Sequence, residues 1–213
     1  MTEPGEPMVD SSDVFDLLFV CTGNICRSPM AELMAANELR RRLGERASSV
    51  RVHSAGTHGL VGNAIERFAG RELMTYGVRA ATFRARRLAQ EMISDADLIL
   101  TATRMHRAAV VTQVPDAAQV TFTIIEFSRL VGEVDYNALP VGDVARRGRA
   151  LVAAAVARRG MTYVPPGEDD IADPYGAPEV VYRECAMIIA EALRAPMDAL
   201  CWSGDDAPEG VAT

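Results

Sequence analysis

Lysine is absent from this chain of 213 residues, whose basic side chains, 22 in all, are arginine. That excludes chemistry through a lysine Schiff base and phosphate binding by a P-loop lysine, so any anion held here is held by arginine. Cysteine is scarce, with four residues at Cys21, Cys26, Cys185 and Cys201. They are too few and too scattered for the disulfide framework of a small secreted domain, so reduced thiols in the cytoplasm are expected. No apolar run approaches the roughly 20 residues that a membrane-spanning helix needs, which excludes an integral membrane reading. Positive charge is outweighed: a net charge of −7 argues against a nucleic-acid binder, which needs clustered cations to neutralise phosphates. Histidine is limited to His53, His58 and His106, single residues without ligand spacing, and Cys21 and Cys26 lack partners for a zinc site. No metal and no cofactor is expected.

What is present describes one soluble domain, 49% hydrophobic and 24% charged. Residues 1–13 are acidic and carry proline but neither a positive n-region nor an apolar h-region, so they are expected to form a disordered arm rather than a signal peptide. Residues 203–213, acidic and rich in small side chains, are expected to form a disordered tail. The domain then spans 14–202. Within it, short apolar runs alternate with helical spacing, which predicts an α/β fold with a parallel sheet. Strands are expected at Val14–Val20, Val50–Ser54, Ala96–Ala102 and near Val120–Thr123. Helices are expected at Pro29–Leu43 with Ser28 as N-cap, at Gly62–Tyr76, at Arg104–Gln113, as an added surface helix over Asp143–Arg159, and at Pro178–Trp202 with a break or kink at Pro196.

In an open α/β sheet the ligand site lies beyond the carboxyl ends of the strands, and the first strand delivers Cys21 to that edge. The segment that follows, Thr22-Gly-Asn-Ile-Cys-Arg-Ser28, runs into a helix. Its backbone N–H groups are able to converge on one point to which the helix also directs its positive end. This is an anion cradle, and a thiol within it, beside Arg27 and the Ser28 hydroxyl, is expected to sit as a thiolate. The Arg27 guanidinium matches two phosphate oxygens and would hold a phosphoryl group over the sulfur. The departing oxygen then needs a proton, and Asp173 in Asp-Pro-Tyr-Gly176 offers one. Pro174 holds Asp173 extended, and Tyr175 is placed to line a slot for an aromatic leaving group. Alone, Asp-Pro-Tyr-Gly reads as a turn; the loop gives it weight. Cys185 and Cys201 read as core residues. Arg86-Arg87 and Arg146-Arg147 read as solvated charges, the second pair being open to a docking role.

The run Val20-Cys-Thr-Gly-Asn-Ile-Cys-Arg-Ser-Pro-Met-Ala-Glu32 resembles the signature loop of the low-molecular-weight protein-tyrosine phosphatases, and Asp173-Pro-Tyr-Gly176 resembles their general-acid motif. His53-Ser-Ala-Gly-Thr57 and Ala96-Asp-Leu-Ile-Leu100 resemble the family's second and third strands. The resemblance spans about Val14 to Leu200. It implies a three-layer α/β/α fold with a central four-stranded parallel sheet and a phosphate-binding loop after the first strand. It further implies hydrolysis of phosphotyrosine in proteins through a phosphocysteine on Cys21, with Arg27 gripping the phosphate and Asp173 as acid and then base. Thr22, Gly23, Asn24, Ile25, Cys26 and Ser28 would complete the phosphate-binding loop, with Asn24 holding its strained backbone, Ser28 stabilising the thiolate and Cys26 able to form a reversible disulfide with Cys21. Leu60 and Tyr175 would form the substrate pocket.

Leu60 stands where many relatives place an aromatic wall, and in this the chain resembles the bacterial branch associated with exopolysaccharide tyrosine kinases. The implied partner is a phosphotyrosine protein, with such a kinase as a candidate, and the implied state a monomer or weak dimer. Ile25 resembles the tyrosine-phosphatase pattern; relatives acting on phosphoarginine tend to carry threonine there. The stretch from Leu130 to Asp170 is longer than the resemblance predicts. Two alternatives stand beside this reading. One is a thiol-dependent arsenate reductase of the same fold, which needs further cysteines on a mobile segment, whereas none occurs between Cys26 and Cys185. The other is a silent phosphoprotein-binding module, against which Cys21, Arg27 and Asp173 speak.

Overall fold

The computed structural model describes residues 13–204 apart from 162 and 166. Of the expected arm and tail, only Asp13, Ser203 and Gly204 fall among the described residues. The chain runs β1 (Phe15–Cys21), α1 (Arg27–Leu43), β2 (Val50–Gly56), α2 (Arg67–Thr75), α3 (Gln90–Asp95), β3 (Leu98–Thr101), α4 (Arg104–Gln113), β4 (Thr121–Thr123), α5 (Ile124–Gly132), α6 (Val144–Arg158) and α7 (Glu179–Cys201). As expected, the sheet has four parallel strands, and their order is β2-β1-β3-β4. All seven residues of β1 are buried, as befits a central strand covered on both faces. Phe15, Leu17 and Phe19 face a layer built from α1, α2, α5, α6 and α7, while Leu18 and Val20 face Ile93 of α3 and Val110 of α4. From β1 the chain crosses to β2 on one side, and β3 lies on the other, so a crevice opens at the carboxyl end of β1 where Cys21 stands opposite Gly56.

Several local expectations change. Helix α1 begins one residue before the expected cap, and the Ser28 hydroxyl turns to Cys21 instead of capping the helix. Helix α2 starts only at Arg67, because the Glu66 carboxylate accepts the N–H groups of Phe68 and Ala69 there, while Gly62 is drawn to the carbonyl of Ala85. Helix α7 neither stops nor splits at Pro196, which is buried within it, and Tyr136 donates its hydroxyl to the neighbouring Ala195 carbonyl. The expected surface helix, α6, is a core helix. Its Gly148 lies so close to β1 that a Cβ there would come within 2.6 Å of the Phe15 ring. Arg147, read as a solvated charge, is 2% exposed and donates to the carbonyls of Tyr136, Pro140 and Ala199, tying the turn before α6 to the end of α7. Burial pulls its pKa down from the usual arginine range.

Candidate active site

The loop after β1 is shaped by what its carbonyls bind. The carbonyls of Cys21, Thr22 and Gly23 accept the N–H groups of Thr57, His58 and Leu60, and that of Ile25 accepts the N–H of Glu66. The Cys26 carbonyl takes the Met30 amide in the first turn of α1. In a trans peptide the N–H points opposite to the C=O, so outward-bound carbonyls turn the N–H groups of Thr22, Gly23, Asn24, Cys26 and Arg27 inward. The segment after β2 must lie very close for this. A Cβ on Gly56 would sit 2.4 Å from the Thr22 carbonyl oxygen, and one on Gly59 would meet the Arg86 carbonyl at 2.1 Å. Asn24 has φ of +54°, the one described non-glycine residue in that region. Its side chain offsets the strain by donating to Ser28 Oγ (2.9 Å) and Ser54 Oγ (2.7 Å) and accepting from the Arg86 N–H (2.7 Å).

Cys21 is buried at the base of this cradle with Sγ 2.9 Å from Ser28 Oγ. Arg27, in the first turn of α1, is buried as well and is held from three sides. Its Nη1 donates to the Ile171 carbonyl at 3.1 Å, and its Nη2 donates to Asp173 Oδ2 at 2.5 Å and to Thr22 Oγ1 at 3.4 Å, while Nε has no partner among the described residues. The segment carrying Asp173 is docked on the carboxyl end of β3: Ile171 N–H donates to the Ala102 carbonyl, and Asp170 accepts from the Arg104 N–H at the start of α4. Asp173 itself remains half exposed. Beside Thr22 lies His106, 5% exposed, with Nε2 2.9 Å from Thr22 Oγ1 and Nδ1 2.7 Å from Thr103 Oγ1. Burial first, and the Arg27 charge second, push its pKa down to about 4, so the ring is neutral at neutral pH.

The fold thus gathers Cys21, the loop through Ser28 and Asp173 around one point, although Arg27 and Asp173 are 146 positions apart. Leu60, 43% exposed, lies over Gly23, and Tyr175, 64% exposed, follows Asp173, its N–H bound to Asp173 Oδ1. Ile25 is half buried against the core margin. Burial, with Cys21 next, holds the Cys26 thiol above its usual range, and burial pushes that of Cys185 up to about 12. Cys185 and Cys201 sit in α7 as core residues. Sequence reasoning missed His106, Thr103 and the bracing set of Glu32, Ser54 and Arg86. Arg86 keeps an exposed guanidinium near Glu32, but its backbone is what supports Asn24 and Gly56. The signal available for it was Gly56 and Gly59, which demand a close backbone neighbour.

Residues 16–150, which include the whole cradle, match the family described as low molecular weight phosphotyrosine protein phosphatase. The chain belongs to that family. Asp173 lies beyond the matched stretch. A protein-arginine-phosphatase of Geobacillus stearothermophilus is 30% identical over 169 residues, 79% of this chain and 84% of that enzyme. The low molecular weight protein-tyrosine-phosphatase Etp of Escherichia coli K12 is 40% identical over 100 residues, 47% of this chain and 62% of that enzyme, which is less than two thirds of its length. A crystal structure of a low molecular weight protein tyrosine phosphatase from T. tengcongensis superposes with a TM-score of 0.63 at 29% identity, covering 86% of this chain and 98% of that one. The chain is therefore a hydrolase of the low molecular weight protein phosphatase type, and its relatives act on either of two phosphorylated side chains. Among the described residues no helix is long and apolar enough to cross a membrane.

Proposed function

We propose that this phosphatase hydrolyses phosphotyrosine in proteins through a phosphocysteine on Cys21. The observation that carries the reading is the junction at Arg27 Nη2, where the guanidinium above the cradle meets the Asp173 carboxyl at 2.5 Å. Cys21 sulfur, held by Ser28 Oγ, attacks phosphorus while Arg27 and the inward amides take the charge on the phosphoryl oxygens. The P–O bond to the phenol breaks, and protonated Asp173 gives its proton to the leaving oxygen. Asp173, now a carboxylate, takes a proton from water as that water attacks phosphorus, the S–P bond breaks, and inorganic phosphate and the Cys21 anion result. A bound phosphoryl group competes with Asp173 for Nη2, which frees the carboxyl to turn toward the leaving oxygen.

Two features support the tyrosine ester as substrate. The exposed Leu60 and Tyr175 give the mouth apolar and aromatic surface for a phenyl ring, and Ile25 offers no hydroxyl. Phosphoarginine is the second reading, favoured by the breadth of the similarity to the Geobacillus enzyme. Initial rates on matched phosphotyrosine and phosphoarginine peptides decide between them. We expect kcat/KM to favour phosphotyrosine at least about tenfold, a margin of one well-placed apolar contact, and Ile25→Thr to narrow it. Faster turnover of phosphoarginine would reverse the assignment. The substrate we infer is a phosphorylated cytoplasmic protein, a tyrosine kinase of the same cell being the candidate partner.

A further inference from the structure

Thr103 caps α4, its hydroxyl accepting the His106 N–H at 3.3 Å. The same oxygen lies 2.7 Å from His106 Nδ1. A hydroxyl has one proton and two lone pairs; the helix amide takes one lone pair of Thr103, and its proton is free to go to Nδ1, which lies within reach. Donation there leaves Nδ1 without hydrogen and puts the ring's proton on Nε2, which then donates to Thr22 Oγ1 at 2.9 Å. Arg27 Nη2 donates to the same Thr22 oxygen from 3.4 Å. Both lone pairs of Thr22 Oγ1 are then occupied by N–H donors, and its own proton is left to give. Thr22 is exposed at the mouth of the cradle, beside the guanidinium that seats the phosphoryl group.

We propose that His106, backed by Thr103, is a positioning residue that turns the Thr22 hydroxyl outward as an added hydrogen-bond donor to the phosphoryl group held by Arg27. The inference rests on the phosphatase reading above and deepens it. The groups that bear on the ring are Arg27 from α1, Asp170 and Asp173 from the acid segment, and His58 from the loop after β2. Arg27, the strongest of them, disfavours a second cation here. A neutral ring with hydrogen on Nε2 fits a buried place between two hydroxyls.

The test combines kinetics on p-nitrophenyl phosphate with 15N NMR of the imidazole. Loss of a donor that strengthens with developing phosphoryl charge should lower kcat/KM of Thr22→Val about tenfold, chiefly in kcat. Thr22→Ser, which keeps the hydroxyl, should recover most of that loss. His106→Leu should match Thr22→Val, and His106→Gln, whose amide N–H can reach the place of Nε2, should recover most of the loss. In the Thr22→Val background His106→Leu should cost little more, since the two act as one unit. The NMR spectrum should show hydrogen on Nε2. Unchanged kinetics in Thr22→Val, full additivity of the two substitutions, or hydrogen on Nδ1 overturns the inference. Thr22 lies at the surface, so its variants fold even if those of His106 do not. Turnover surviving in Cys21→Ser would instead overturn the phosphatase mechanism itself, and the two failures are distinguishable.

Discussion

The two ends of the sheet use the same residue types to opposite effect. At the amino end, the buried Asp16 accepts from Arg51 and from His53 Nε2 (2.6 Å), and its backbone pairs with Asp97, which in turn takes Arg149 Nε at 2.9 Å. Asp16 and Asp97 are each met there by basic side chains of the fold itself. At the carboxyl end, buried Arg27 meets a half-exposed Asp173, carries an Nε without a partner among the described residues, and faces a ring of N–H groups. His53 is bonded to a carboxylate, whereas His106 is bonded to two hydroxyls. Charges paired inside the fold cost stability when one partner is removed; charges whose partner a ligand can displace are available for chemistry.

Substitutions should separate the two ends. The largest effect on activity away from the reacting groups is expected from Gly56→Ala. The new methyl must push the Thr22 carbonyl aside and with it the bond to His58, and a shift of about 1 Å in such a loop costs on the order of 10² in kcat/KM. Wild-type activity in this variant would mean that the loop does not depend on the β2 segment. Asp16→Ala should do the reverse. Leaving the largely buried His53 without its acceptor, while the exposed Arg51 returns to water, should cost about 1–2 kcal/mol in urea unfolding, with kcat/KM of the folded enzyme within about twofold of wild type. A comparable loss of activity would erase the distinction between the ends.

A smaller effect comes from His106. Its folded pKa, about 4, lies below the usual 6.5, so between those values the unfolded chain binds more protons and stability falls as pH falls. From pH 7 to 5.5 the wild type should lose about 1 kcal/mol through this group, and His106→Gln should remove that part of the slope. Parallel slopes in the two proteins would show that the ring is not held neutral.

The sequence made the carboxyl end legible where backbone and motif coincide. An apolar strand, Cys21, a short loop and a helical run placed the cradle, and the Asp173-Pro-Tyr motif marked the carboxylate that the fold brings to Arg27. What escaped depends on packing at a distance. His106 looked like any single histidine, because its partners Thr22 and Thr103 are brought to it by the sheet and a helix cap. Arg147 looked solvated because nothing local tells that Gly148 presses α6 onto Phe15 and buries its neighbour among carbonyls. Helix α5, nine residues from Ile124, was missed because it follows a three-residue strand with no loop between; only the paired bonds between Thr123 and Glu126 mark its start.

The proposed mechanism makes Cys21 sulfur the acceptor of the phosphoryl group, and rapid quenching of Asp173→Ala during turnover of p-nitrophenyl phosphate measures this directly. Without the base that activates water the second step slows, so mass spectrometry of the quenched digest should find a phosphoryl group on Cys21. Phosphate release with no adduct at any time, or an adduct on a different side chain, would contradict it.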